Sequence, residues 1–288
     1  MAEKLQTISG IRSHISALLQ KLWPPEEAEA LTSAIILEYT GMSRGAQLAF
    51  GDRSAGPGAP ERIITAAERA ARGEPLQYIF GYAEFCRHRI GVEPGVLIPR
   101  PETEEMVMRI ISENPGFSGR VTDLCTGSAC IAIALSLAFP GATVVATDNS
   151  PAALRVAARN IAVTGASVTL ADADIFNPDQ PEIPFSEIIV SNPPYVTESE
   201  KMAMHINVLD HEPHGALFVP DEDPLLYYRR IAQIAAIRLT PGGTLWLEVN
   251  ENLASATAML LSPDMYRQVT VIDDIRGKQR FIKAEKHG

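Results

Sequence analysis

Apolar residues recur at spacings of three and four through the first part of the chain. Leu5, Ile8, Ile11, Ile15, Leu18, Leu19 and Leu22 predict an amphipathic helix, which Pro24-Pro25 ends. Pro25-Glu26-Glu27 opens a second helix, with acids in its first turn and Ala28, Leu31, Ile35 and Ile36 on its apolar side. After a glycine- and proline-rich loop at residues 51–60, Glu61 to Arg72 repeats the helical spacing and stops at Gly73 and Pro75. Residues 76–98 change character. Tyr78-Ile79-Phe80, Ala83-Glu84-Phe85, Arg89-Ile90-Gly91-Val92 and Val96-Leu97-Ile98 have strand composition with glycine punctuation and predict a β-hairpin linking two domains. Thr103 or Glu102 can then start a helix over Glu105 to Ser112.

From Arg120 the pattern alternates. Strands are predicted at Val121–Cys125, Thr143–Thr147, Val168–Ala171, Glu187–Val190 and Thr244–Val249. Helices are predicted at Ser128–Phe139, Pro151–Thr164, Leu225–Leu239 and Leu253–Leu261. Alternation of this kind gives an α/β fold, a doubly wound parallel sheet with helices on both faces. Gln268–Ile272 and Arg280–Ala284 have no helix between them and are expected to pair antiparallel.

Composition narrows the class of molecule. The chain has 288 residues, enough for one large domain and a smaller one, and its hydrophobic content of 46% supports a core. A formal net charge of −10 is a poor match to a nucleic-acid backbone. Three cysteines, Cys86, Cys125 and Cys130, form no disulfide framework and suit a reducing compartment. The uncharged stretch from Leu124 to Thr147 is split by Pro140-Gly141, so it reads as strand, helix and strand and not as a membrane span.

Ser191-Asn192-Pro193-Pro194-Tyr195 carries the most chemistry. It follows an apolar strand, and two prolines forbid its continuation as helix or central strand. The result is a stiff turn at a strand's carboxyl end, where open α/β sheets bind ligands. Its carboxamide can donate and accept, so it could hold a planar amide or amino group. The first βα turn, Cys125-Thr126-Gly127-Ser128-Ala129, has small residues at a helix start, which suits either a ligand or an ordinary turn. An acid at the end of the second strand, Asp148, commonly takes ribose hydroxyls. Turn and acid together favour an adenosine-type cofactor, with Asp172 and Asp174 beyond the third strand. Arg100, held between two prolines, either lines a site or belongs to a charged linker. His205, His211 and His214 lack the rigid spacing of metal ligands, and no metal is expected.

These pieces resemble the class I, S-adenosylmethionine-dependent methyltransferases. Within them the chain is similar to the HemK/PrmC group, protein-(glutamine-N5) methyltransferases acting on peptide chain release factors. The resemblance rests on Gly73-Glu74-Pro75-Leu76-Gln77-Tyr78-Ile79, Leu97 to Glu104, Asp123 to Ala134, Asn192 to Tyr195, Glu212-Pro213 and Gly277 to Phe281. It implies a seven-stranded sheet in residues 99–288, a helical substrate-recognition domain at 1–75 and the linking hairpin at 76–98. It also implies a cytoplasmic, monomeric enzyme that binds neither nucleic acid nor membrane. Cys125, Thr126, Gly127, Ser128 and Ala129 would wrap the methionine end of the cofactor. Asp148 would hold the ribose, Ile175 would flank adenine, and Asn192 would face the methyl donor. Asn192 and the Pro193 carbonyl would accept the hydrogens of the glutamine amide, with Pro194 and Tyr195 completing the acceptor site. Cys125 and Ala129 stand where the family's turn usually has its outer glycines, and their side chains would weaken cofactor binding. A ribosomal-protein glutamine or a DNA amino group is the alternative acceptor.

Overall fold

The computed structural model describes residues 6–177 and 182–288, so Leu5 of the first helical pattern lies outside it. The chain divides into two compact units, one comprising residues up to Gly81 together with His205–His211, the other comprising Tyr82–Met204 and Glu212–Gly288.

The smaller unit is helical. Helices α1 (Ile8–Leu19), α2 (Pro25–Thr40), α3 (Arg44–Ala49) and α4 (Ala59–Ala70) are followed by a single turn, α5 (Leu76–Phe80). Thr7 caps α1 by accepting from the Gly10 amide, and Ile8, Ile11, Ile15 and Leu19 form its buried stripe. Pro25 and two acids start α2, and Gly41 closes it at φ 71°. The Trp23 indole donates to the Ala70 carbonyl at 2.9 Å, and its ring stacks on His205 at 4.7 Å.

The predicted strand at Tyr78–Phe80 is instead helical. Pro75 presets the backbone, and Leu76, Ile79 and Phe80 pack into the helical unit's core. A three-residue apolar run is too short to show a period, so strand composition misled. The helical unit therefore extends to Gly81, and the hairpin is β1 (Tyr82–Phe85) with β2 (His88–Gly91). Its two-residue turn, Cys86-Arg87, has φ of 47° and 64°, the turn whose twist matches the flanking strands.

The larger unit then runs α6 (Pro101–Glu113), β3 (Arg120–Leu124), α7 (Cys130–Ala138), β4 (Thr143–Asp148), α8 (Pro151–Thr164), β5 (Val168–Asp172) and β6 (Ser186–Ser191). Short strands β7 (Val196–Thr197) and β8 (Phe218–Val219) pair with each other, and the short helices α9 (Ile206–Leu209) and α10 (His214–Leu217) lie between them in sequence. The chain ends with α11 (Leu226–Arg238), β9 (Leu239–Glu248), α12 (Ala254–Ala258), β10 (Tyr266–Asp273) and β11 (Gln279–Lys286). Helix α6 begins at Pro101, earlier than predicted, because proline is suited to the first helical position.

Among the described residues, seven strands form one sheet in the order β10-β11-β9-β6-β3-β4-β5. β11 is antiparallel to both neighbours and the other pairings are parallel. Alternate strand residues serve opposite cores. Val121, Ile188, Val190, Trp246 and Phe281 pack with α6 and α7, whereas Leu124, Ile189, Leu245, Leu247 and Ile282 pack with α11. Both faces are covered, which is why these strands read as continuous apolar runs. The chain winds outward from β3 through β4 and β5, then returns to β6 on the other side of β3. That reversal opens a crevice at the carboxyl ends of β3 and β6.

Candidate active site

Two turns flank the crevice. Leu124 pairs with Ser191 across β3 and β6, and the Ser191 hydroxyl donates to the Leu124 carbonyl at 2.7 Å. The residues that follow, Cys125 and Asn192, are thereby held at neighbouring strand ends. A cavity of ≈ 260 Å³ opens there, bordered by Cys125, Thr126, Gly127, Ser128, Asp148, Ile175, Asn192 and Pro194. A second, smaller pocket of ≈ 30 Å³ is lined by Pro193, Tyr195, Val196 and Leu217. Leu97, Arg100, Asn192 and Ala216 border both.

The first βα turn is an unusual backbone. Cys125, Gly127 and Ala129 have φ of 59°, 56° and 64°, a conformation that glycine adopts freely and other residues adopt at a cost of about 1–2 kcal/mol each. Left-handed Ala129 caps α7, so the helix begins at Cys130 and not at Ser128. Ala129 is fully buried in the core and does not border the cavity. Cys125 does border the cavity, and burial pushes its thiol pKa upward, leaving it neutral and a poor nucleophile. A Cβ built on Gly127 would meet no atom within 4 Å, so that side of the turn is open.

Asp148 ties this turn to the second strand. One carboxylate oxygen accepts from the Gly127 amide and the other from the Ser150 amide, both at 2.9 Å. The Asn149 amide is a third backbone donor, so the carboxylate keeps acceptor capacity for one hydroxyl group. Burial raises the Asp148 pKa, and the backbone amides oppose that shift. At the far end of the cavity, Phe176 meets Tyr227 edge to face at 5.1 Å. This aromatic pair was not anticipated; the sequence signal for it was Phe176 directly after Ile175. The open glycine cradle, the acid with spare acceptor capacity and the apolar, aromatic far wall together fit an adenosine-bearing sulfonium cofactor.

Asp123, at the centre of β3, is fully buried. It accepts from the Thr126 hydroxyl at 2.5 Å, and both that bond and the Ala132 backbone amide oppose the effect of burial. Burial pushes its pKa up to about 7. The folded protein therefore binds a proton here between pH about 4 and about 7 that the unfolded chain does not, so this residue's contribution to stability falls as pH rises through that window. Urea unfolding of the cofactor-free protein should show Asp123→Asn removing a slope of up to about 1.4 kcal/mol per pH unit. Identical pH dependences in the two proteins would contradict it.

The second turn is braced from behind. The Asn192 Nδ2 donates to the Thr103 hydroxyl at 3.0 Å, and Thr103 donates to Glu248 Oε2 at 2.6 Å. The Tyr195 hydroxyl donates to Glu248 Oε1 at 3.0 Å. Burial raises both the Glu248 and the Tyr195 pKa. Arg100 is fixed by buried Glu212, which holds its guanidinium at 2.7 Å and the Ile98 amide at 3.3 Å. Of the loop histidines, His205 lies on Trp23 and His214 lies edge-on to Phe218. The sequence pattern marks Thr103 only as a possible helix start and gives Glu248 no role. The available clue was an acid ending the apolar run Leu245-Trp246-Leu247.

Comparison with known proteins matches this geometry. Residues 102–213 fit the family profile "Methyltransferase small domain" and residues 11–81 the profile "PrmC N-terminal domain". A release factor glutamine methyltransferase of Bacteroides thetaiotaomicron is 44% identical over 96% of this chain and 99% of its own. Namesakes from Flavobacterium psychrophilum and Neisseria gonorrhoeae are 42% and 39% identical, over 73% and 79% of this chain and 75% and 83% of theirs. Among solved structures, a methyltransferase from Pyrococcus furiosus covers 79% of this chain and 98% of its own with a TM-score of 0.50 at 19% identity. The T. thermophilus 16S rRNA N2 G1207 methyltransferase, in complex with AdoMet and guanosine, has the same TM-score and identity over 72% of this chain and 50% of its own. The structural likenesses show the class I fold. With the site geometry and the sequence relatives, they establish that the chain belongs to the release factor glutamine methyltransferase family.

Proposed function

We propose that this protein methylates the side-chain amide nitrogen of a glutamine in a peptide chain release factor, with S-adenosylmethionine as donor. The observation that carries this reading is the position of Asn192. It borders both the large cavity and the small pocket, and its own nitrogen is already engaged by Thr103. Its carbonyl oxygen is therefore the atom available to an acceptor.

When bound, the cofactor supplies an electrophilic methyl group on a positively charged sulfur. Thr126 to Ser128 and Asp148 would hold its methionine and ribose portions, and Ile175 with Phe176 its adenine. The remaining task is to make a poor nucleophile react. An amide nitrogen is delocalised into its carbonyl, so orientation must supply much of the rate. Asn192 Oδ1 and the Pro193 carbonyl accept the two amide hydrogens and aim the nitrogen toward the donor cavity. In the transfer the S–CH3 bond would break, leaving a neutral thioether, while the nitrogen would bond the methyl group and release one of those hydrogens as a proton to solvent. Tyr195 packs against the amide plane. Arg100, anchored by Glu212, closes the junction between the two spaces. The helical domain, which the sequence pattern bounds at 1–75 and which in the structure runs to Gly81, would grip the release factor around its glutamine.

No helix among the described residues is long and apolar enough to cross a membrane. The enzyme is expected to work as a cytoplasmic monomer. Incubation with labelled cofactor and separate release factor, ribosomal protein and DNA tests the acceptor. Label on the release factor is expected; label confined to DNA or to ribosomal protein would transfer the assignment to one of those rivals.

A further inference from the structure

Glu248 is wholly buried, ends an apolar strand run, and makes no ion pair with any described residue. Burying a carboxylate in this way costs several kcal/mol and does not favour stability. Its two oxygens each take one hydroxyl, Thr103 and Tyr195, and both hydroxyls lead to the turn that borders the small pocket. Arg280 on β11, Glu102 on α6, Tyr195 after β6 and Tyr228 on α11 are charged and titratable groups that face it.

Hydrogen-bond arithmetic then fixes a direction. A threonine hydroxyl has one hydrogen. With Glu248 ionised, that hydrogen of Thr103 goes to the carboxylate, which in this form only accepts. Thr103 is left as an acceptor, and Asn192 must present its NH2 group to it. The Asn192 oxygen consequently faces away from Thr103. If the amide turned over, an NH2 group would meet the NH2 group of the substrate, two donors with no acceptor between them. Building on the glutamine assignment above, we propose that Thr103 and Glu248 are positioning residues, which lock the Asn192 carboxamide with its oxygen toward the acceptor nitrogen and pin Tyr195 beside it.

Glu248→Gln is nearly isosteric, yet one of its two termini becomes an NH2 group, which meets either Thr103 or Tyr195. Facing Thr103, it frees the Thr103 hydrogen to point at Asn192 and permit the wrong orientation; facing Tyr195, it removes the acceptor that pins that hydroxyl. Thr103→Val removes the acceptor; Thr103→Ser keeps it. Steady-state kinetics and calorimetry should show Thr103→Val and Glu248→Gln lowering kcat about 100-fold, with cofactor affinity unchanged and Thr103→Ser close to wild type. The double variant should be no slower than the slower single variant, because the residues act as one unit.

A second readout does not depend on the acceptor. The side-chain amide resonance of Asn192, identified by its loss in Asn192→Ala, should exchange slowly in wild type and lose that protection in Thr103→Val. Serine as damaging as valine, a parallel loss of cofactor affinity, or an Asn192 resonance indifferent to Thr103→Val would each overturn the proposal. A wild-type enzyme that labels no release factor while this resonance still follows Thr103 would remove the substrate assignment and support the lock.

Discussion

Asn192→Ala is expected to reduce turnover about 1,000-fold, a loss of the size seen when one preorganised polar group is removed from a reacting centre. Cofactor affinity should stay at the wild-type value. The separation follows from geometry. Asn192 lies where the large cavity meets the small pocket, whereas the contacts assigned to the donor are spread over Thr126 to Ser128, Asp148 and the aromatic wall. The variant deletes the acceptor for one amide hydrogen, so the substrate nitrogen is no longer aimed. It also leaves the Thr103 oxygen without its donor, a cost to folding of about 1 kcal/mol. Calorimetry of cofactor binding beside single-turnover methylation checks both halves. A variant that keeps its turnover would remove Asn192 from the mechanism.

Gly127→Val is the second large effect, and it falls on the other side of the reaction. The backbone at Gly127 has φ of 56°, where a β-branched residue costs about 1–3 kcal/mol. Open space surrounds the position a Cβ would take, and Gly127 borders the cavity. The valine methyl groups would occupy room assigned to the donor. The strain would also pull the Gly127 amide from the Asp148 carboxylate. Cofactor affinity should fall at least about 100-fold, equivalent to about 2.7 kcal/mol. Cys125→Gly should act in the opposite direction, since it removes a side chain bordering the cavity and relaxes a φ of 59°. Titration calorimetry with the three proteins tests the pair. An unchanged dissociation constant in Gly127→Val would show that the donor lies elsewhere.

The elements legible in the sequence are those whose pattern is long. Strand and helix alternate from Arg120 onward over runs of four residues or more, and the structure places β3 to β6 within one residue of expectation, whereas β9 starts five residues early, at Leu239. The antiparallel ending was also legible, because no helix separates β10 from β11. Tyr78–Phe80 was misread because three apolar residues carry no period and Pro75 acts from outside that window. The turn at Asn192 was legible because two prolines leave few conformations. Its bracing was not. Thr103 lies 89 positions from Asn192 and Glu248 lies 145 from Thr103, so only the folded sheet brings them together. The placement of the Ala129 methyl group was not legible for a related reason. Its left-handed φ, visible only in three dimensions, turns the methyl group into the core.

Under the proposed function, the turn at Asn192 presents a glutamine amide to a methyl donor. Tandem mass spectrometry of a release factor, after incubation with the enzyme and S-adenosylmethionine, reads that outcome at the level of single atoms. One added methyl group is expected, localised to the side-chain nitrogen of a single glutamine and absent when Asn192→Ala replaces the wild type. A methyl group on any other atom of the release factor, or an unmodified release factor beside a methylated nucleic acid, would contradict it.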